Sequence, residues 1–176
     1  MYNNILYPTD GSKGAAVVLD HAHDLAETYS ATLHILFVVG SEHVESGMVV
    51  RRGEDNEWKT GMFKRDEETA GAGHMSRNKE DQPGEIEERG KRLIDEISSW
   101  LADQGVETTT AIRNGEPDQA IIEYAKENDI DLIMMGTHGR KGLRRRLIGS
   151  VTENVVRTSD KPVLTVRLTE ESESSE

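Results

Sequence analysis

The sequence predicts an α/β fold, a doubly wound five-stranded parallel sheet with helices on both faces. Short apolar runs alternate along the chain with amphipathic helical stretches, the pattern of strands joined by crossover helices. Several of the runs are apolar at successive positions, as expected of strands covered from both sides. A chain of 176 residues suits one such domain and leaves little room for a second core.

The opening run, Asn3 to Pro8, is short and apolar and is expected to be a buried strand that the proline ends. Thr9-Asp10-Gly11-Ser12 is a turn cluster. The segment Lys13 to Tyr29 places Val18, Ala22, Leu25, Ala26 and Tyr29 on one helical face. Leu33 to Val39 is a second buried strand, polar only at His34. Residues 40–84 break this rhythm with seven glycines and ten acids against seven bases, so the stretch is expected to be a flexible insertion, or else a lid. Ile86, Gly90, Leu93, Ile97 and Leu101 then form the inner stripe of a helix ending near Gly105. Val106 to Arg113 is more polar and suits a sheet edge. Pro117 fits the first turn of the next helix, whose apolar face is Ile121, Ile122 and Ala125. Asp131 to Met135 is a buried strand, and a helix from Ser150 to about Thr158 leads to a last strand, Pro162 to Arg167. The domain therefore spans residues 1–168. Residues 169–176, with four Glu and three Ser, read as a disordered acidic tail.

Composition excludes several functions. With 21 basic and 33 acidic residues the formal charge is -12, which opposes general binding to DNA or RNA. No apolar run approaches a membrane span and no signal peptide opens the chain, so no membrane role and a cytoplasmic location are expected. There is no cysteine, so disulfides, thiolate metal sites and cysteine nucleophiles are ruled out. Such an acidic balance is also compatible with a high-salt cytoplasm. The six histidines show no metal-ligand spacing, and no metal site is expected.

The chemistry is concentrated between Met135 and Glu153, where a strand passes through a loop into a helix. Arg140, Lys141, Arg144, Arg145 and Arg146 place five positive charges in residues 137–148 with no acid, and this points to an anion. The start of a helix offers unpaired N–H groups and the positive end of its dipole. Gly149 would let a ligand approach the backbone, and Ser150 and Thr152 carry hydroxyls that can donate to phosphate oxygens. Two alternatives stand beside phosphate binding. Ser150 with Glu153 fits a purely stabilising capping box, and the loop could be a partner surface. Neither GxxxxGK[ST] nor GxGxxG is present, which removes the commonest nucleotide loops of such sheets. There is no GxSxG elbow, and no order of Ser, His and Asp suggests a triad.

These residues resemble the universal stress proteins, in particular their ATP-binding branch. That branch carries Gly, two residues, Gly, nine residues, Gly and then Ser or Thr, the spacing of Gly136, Gly139, Gly149 and Ser150. The family's opening strand and Pro-x-Asp turn are similar to Ile5-Leu6-Tyr7-Pro8-Thr9-Asp10. Its closing helix and strand are similar to Gly149–Val156 and Lys161–Val166. The resemblance covers residues 1–39 and 85–168 and implies a Rossmann-like fold. It implies that Asp10 and the backbone at Val38 contact adenosine, and that Met135 and Gly136 lie against the ribose. Gly139, Gly149, Ser150, Val151 and Thr152 would hold the phosphates, with Arg140 beside them. ATP, with Mg²⁺ where it is cleaved, is the implied cofactor. A homodimer through the last strand, residues 162–168, is also implied, together with a protein partner that the sequence does not name.

Three functions follow from this reading: an ATP-binding regulatory or stress-response module, a nucleotide-free interaction protein of the same fold, and an enzyme. The intact glycine pattern favours the first. The lack of a recognisable catalytic base limits the third to slow ATP hydrolysis. Asp10 has a plain alternative role, the Asx-turn that often follows a strand.

Overall fold

A computed structural model of the chain describes residues 2–40, 48–52, 58–62, 83–137 and 148–167. Five strands, β1 (Asn4–Thr9), β2 (Thr32–Val39), β5 (Thr108–Asn114), β6 (Leu132–Gly136) and β7 (Val163–Val166), form one parallel sheet in the order β5-β2-β1-β6-β7. The helices are α1 (Lys13–Tyr29), α2 (Pro83–Asp103), α3 (Pro117–Glu127) and α4 (Ser150–Thr158). No helix among the described residues is long and apolar enough to cross a membrane.

Alternation along the strands builds two cores. Ile5, Tyr7, Leu33, Ile35, Phe37, Leu132 and Met134 face α1 and α2. Leu6, Leu36, Ile133 and Met135 face the other way, toward Ile121, Tyr124 and Ala125 of α3 and Val155 of α4. A side-chain period of two thus explains why these runs are apolar on both faces apart from His34. The expected stripe of α1 is buried at Val18, Ala22 and Ala26, but Tyr29 is 38% exposed. It stands in the last turn of the helix, where its ring meets the edge of Tyr2 at 5.2 Å.

Two boundaries differ from the sequence reading. The first strand runs through Pro8 to Thr9, in register with Leu36 and Phe37. Inside residues 40–84, the backbone forms an antiparallel hairpin of β3 (Met48–Arg52) and β4 (Trp58–Met62), with Met48 opposite Met62 and Arg52 opposite Trp58. Composition over the whole stretch hid this pair, because a run as short as Met48-Val49-Val50 carries little periodicity.

His34 is the polar exception of β2, and it is buried against α3. Its Nδ1 accepts from the Tyr124 hydroxyl at 3.1 Å, and its Nε2–H faces the Asn4 Oδ1 at 3.4 Å. The neutral ring satisfies both partners, and burial lowers its pKa from 6.5. Asn4 also links His34 to Asp131, which accepts the N–H groups of Asn3 (2.7 Å) and Asn4 (3.0 Å) and ties the chain start to β6. These two N–H groups, Asn3 first, hold its carboxyl below the usual range.

Two outcomes follow. The folded state favours neutral His34, so its contribution is complete above pH 6.5 and is lost as pH falls from there toward the lowered folded value. The unfolding midpoint of the native chain should therefore drop more steeply between pH 7 and 5 than that of His34→Leu; parallel curves would contradict this. The second concerns Gly90 of α2, where an added Cβ would come to 2.3 Å from Cδ1 of the buried Phe37 ring. Alanine gains about 1 kcal/mol of helix propensity, but overpacking a core costs about 1–3 kcal/mol. Gly90→Ala should lower stability in chemical denaturation, and adding Phe37→Leu should restore part of the loss.

Candidate functional site

The chain builds the sheet from β1 outward through β2 to β5, then crosses back to add β6 and β7 on the other side. The winding direction therefore reverses between β1 and β6, the place where open α/β sheets hold ligands. The two strands also part there. Their ladder contains only Ile5↔Leu132 and Leu6↔Ile133, while β1 stays paired with β2 as far as Thr9 and β6 with β7 as far as Gly136. Asn3 O accepts from Thr32 of β2 and Asn4 O from Asp131 beside β6, so even-numbered residues of β1 direct their backbone groups toward β6. Pro8 is one of these, and it has no N–H to offer. The proline costs no ladder bond because the ladder has already ended.

The turn after β1 is held by its own side chains. The Asp10 Oδ1 accepts from the Ser12 N–H at 2.9 Å, which is the Asx-turn geometry. Thr9 Oγ1 accepts from the Gly11 N–H at 3.2 Å, and Gly11 takes the left-handed φ of 75° that glycine tolerates. Ser12 caps α1 by accepting from the Ala15 N–H. Beneath them the buried Tyr7 hydroxyl donates to Ala15 O at 2.8 Å and lies 3.3 Å from Thr9 Oγ1. Burial pushes the Tyr7 phenol pKa up, so the phenol stays a donor. A small cavity lined by Tyr7, Thr9, Ser12 and Leu93 lies behind this turn, among residues of the α1 and α2 side.

Across the gap, two bonds join the end of β6 to the start of α4. The Thr152 hydroxyl donates to Gly136 O at 2.8 Å, and the Gly149 N–H donates to Thr137 O at 2.7 Å. The capping box does not form. Gly149 is the N-cap and makes no side-chain cap bond, Ser150 is the first helical residue, and Glu153 reaches Arg157 at 2.6 Å instead. The N–H groups of Ser150, Val151 and Thr152 therefore have no acceptor within the helix. Gly149 sits at φ -63° and ψ 150°, a conformation open to any residue, so the backbone does not require glycine there.

Residues 1–167 match the model of the universal stress protein family. The chain belongs to the universal stress protein family. It is 30% identical over 171 residues to the universal stress protein MJ0577 of Methanocaldococcus jannaschii, covering 95% of this chain and 96% of that one. It is 32% identical over 167 residues to YxiE of Bacillus subtilis, covering 95% and 100%. The solved MJ0577 structure superposes with a TM-score of 0.69 at 29% identity, over 96% and 98% of the two chains. A universal stress protein solved in complex with cAMP shares the fold at 23% identity, with a TM-score of 0.57 over 94% and 97% of the two chains.

In this universal stress protein, Val38 and Val151 are half-buried and pack on the α3–α4 core that contains Met135. Three of the residues singled out from the sequence thus share one face of the sheet beside the strand gap. Met135 is itself nearly buried, and Thr152 is 5% exposed. Asp10 and Gly136 lie at the ends of the two parting strands. Gly139 and Arg140 lie outside the described residues, as do the other bases of the loop. The sequence reading gave Tyr7 and Thr9 no role at the site and Pro8 only that of ending the strand, although a proline before a Thr-Asp-Gly turn was a usable sign of a strand losing a neighbour.

Asp10→Asn keeps an oxygen for the Ser12 N–H, whereas Asp10→Ala removes it. The alanine variant should be less stable than the asparagine variant by about 1 kcal/mol; equal unfolding midpoints would show that the turn bond contributes nothing.

Proposed function

We propose that this universal stress protein binds ATP in the gap between β1 and β6 and acts as a nucleotide-dependent regulatory or stress-response module. The observation that carries the proposal is the start of α4. Three successive backbone N–H groups, at Ser150, Val151 and Thr152, stand at the positive end of a helix dipole with no side-chain cap, at the reversal point of the sheet. A polyphosphate supplies the acceptors these donors lack. The Ser150 side chain is exposed and adds a hydroxyl donor. Asp10 and Val38, on the far side of the gap, receive the adenosine. Gly139 and Arg140 belong to the phosphate loop by the glycine spacing.

ATP would bring Mg²⁺ as the counter-ion of its phosphates, and no protein ligand for the metal is part of the proposal. Hydrolysis is at most slow: Glu153, the acid in the first turn of α4, is engaged with Arg157. Nucleotide occupancy is then the signal, read by a partner or by a second copy. The homodimer is supported by β7, a sheet edge with Leu164 37% exposed, and by the exposed Val156 of α4 at 48%. The cAMP complex, and an Archaeoglobus fulgidus family member solved with dAMP, show adenine nucleotides on this fold in those proteins.

The test begins with protein purified in high salt and denatured, with released nucleotide identified by chromatography and mass; ATP with Mg²⁺ is titrated in parallel. Stoichiometric adenine nucleotide, or micromolar affinity, is the expected result. The absence of both would overturn the proposal and favour the interaction-protein reading. Gly149→Leu should weaken ATP by at least about tenfold through blocked approach, while the loss of a good N-cap lowers stability by only about 1 kcal/mol. Unchanged affinity would contradict the phosphate site.

A further inference from the structure

We infer that the Thr152 hydroxyl is a positioning group and not a phosphate donor: it clasps the end of β6 to the first turn of α4 and sets the width of the nucleotide gap, while the Thr152 backbone N–H stays among the phosphate donors. The inference rests on the ATP reading above and reassigns a residue that the glycine-loop resemblance counts among the phosphate contacts.

A threonine hydroxyl has one proton, and that of Thr152 is given to Gly136 O at 2.8 Å. The side chain is nearly buried, so no solvent-exposed rotamer competes for it. The bond is one of a pair. The next carbonyl, Thr137 O, accepts from the Gly149 N–H at 2.7 Å, so consecutive carbonyls at the strand end hold the N-cap and the third residue of α4. Thr137 N–H in turn donates to Val166 O of β7 at 2.9 Å, which anchors the same peptide to the sheet. The helix start is thereby fixed relative to Gly136, the residue expected against the ribose. The first three N–H groups of α4, which have no acceptor within the helix, follow this fixed N-cap without a capping side chain. A direct ligand and a clasp make different demands. A ligand would have to release Gly136 O, leaving a half-buried carbonyl without that donor, whereas a clasp keeps the bond whether or not nucleotide is present.

The two roles separate by ligand. Thr152→Val keeps the shape and removes the proton, Thr152→Ser keeps the proton, and Ser150→Ala removes the exposed hydroxyl. Affinities of the intact chain for ATP and for adenosine, which has no phosphate, are measured by calorimetry. The clasp predicts that Thr152→Val weakens both ligands by a similar factor, about tenfold, that Thr152→Ser restores both, and that Ser150→Ala weakens ATP alone. Loss of ATP affinity with adenosine unchanged in Thr152→Val would make the hydroxyl a phosphate ligand and overturn the inference, as would no change in either. Amide hydrogen exchange of the ligand-free chain supplies a reading that needs no nucleotide. The Gly149 N–H should exchange faster in Thr152→Val and return to the native rate in Thr152→Ser; an unchanged rate refutes the clasp. If the native chain binds neither ligand, the ATP reading fails, and this exchange measurement still decides the clasp.

Discussion

The parting of β1 from β6 after the Leu6↔Ile133 pair is the constraint on which the rest of the site depends. Parallel strands in the middle of a sheet normally stay hydrogen-bonded to their ends, because a buried N–H or C=O left alone is costly. Here each strand keeps its outer neighbour, and the inner edge opens where the chain reverses direction. Pro8 removes one donor from that open edge. Thr152 satisfies the Gly136 carbonyl on the other side. The gap is therefore an opening whose backbone groups are partly accounted for, and among the described residues the first N–H donors of α4 have no acceptor within the helix.

The two faces of the sheet divide the work. On the α1–α2 side, Tyr7, Thr9 and Ser12 brace the turn that carries Asp10, with a buried phenol and an N-cap serine in one hydrogen-bonded set. On the α3–α4 side, Val38 and Val151 are half-buried and pack on the core that holds the buried Met135. An adenine ring wants the second kind of wall and a phosphate chain wants the helix start. The arrangement supplies both within one reversal of the chain. The chain is -12 overall, yet residues 137–148 hold five bases and no acid in the sequence. Screening over about 8–10 Å lets that local excess act on a bound anion while more distant acids are muted.

Most of the fold was legible in the sequence because its signals are local. Leu33 to Val39 and Leu132 to Met135 are apolar at successive positions, and only a sheet covered on both faces asks for that. Pro117 and the Ile121, Ile122 and Ala125 face located α3 within its observed bounds. The misses have physical reasons. Tyr29 keeps the α1 spacing but lies in the helix's last turn, half outside the core. The β3–β4 hairpin depends on cross-strand pairing, which composition does not encode. At the site, the glycine spacing and Asp10 were readable as residues, but the roles of Ser150 and Thr152 were not. A one-residue shift in where α4 begins turns Ser150 from a cap into the first helical residue and leaves Gly149 as an N-cap with no side-chain acceptor. Helix boundaries are that finely set by tertiary bonds such as Gly149 N–H to Thr137 O, which no sequence pattern displays.

The central claim is that the uncapped start of α4 receives the phosphates. The most direct measurement is the amide nitrogen–proton spectrum of the isotope-labelled chain during an ATP titration. The account predicts that the N–H signals of Ser150, Val151 and Thr152 move downfield furthest and saturate together at one ATP per chain, because their donors gain charged acceptors. If ATP binds while these three signals stay in place and others move, the nucleotide sits elsewhere and the account is wrong.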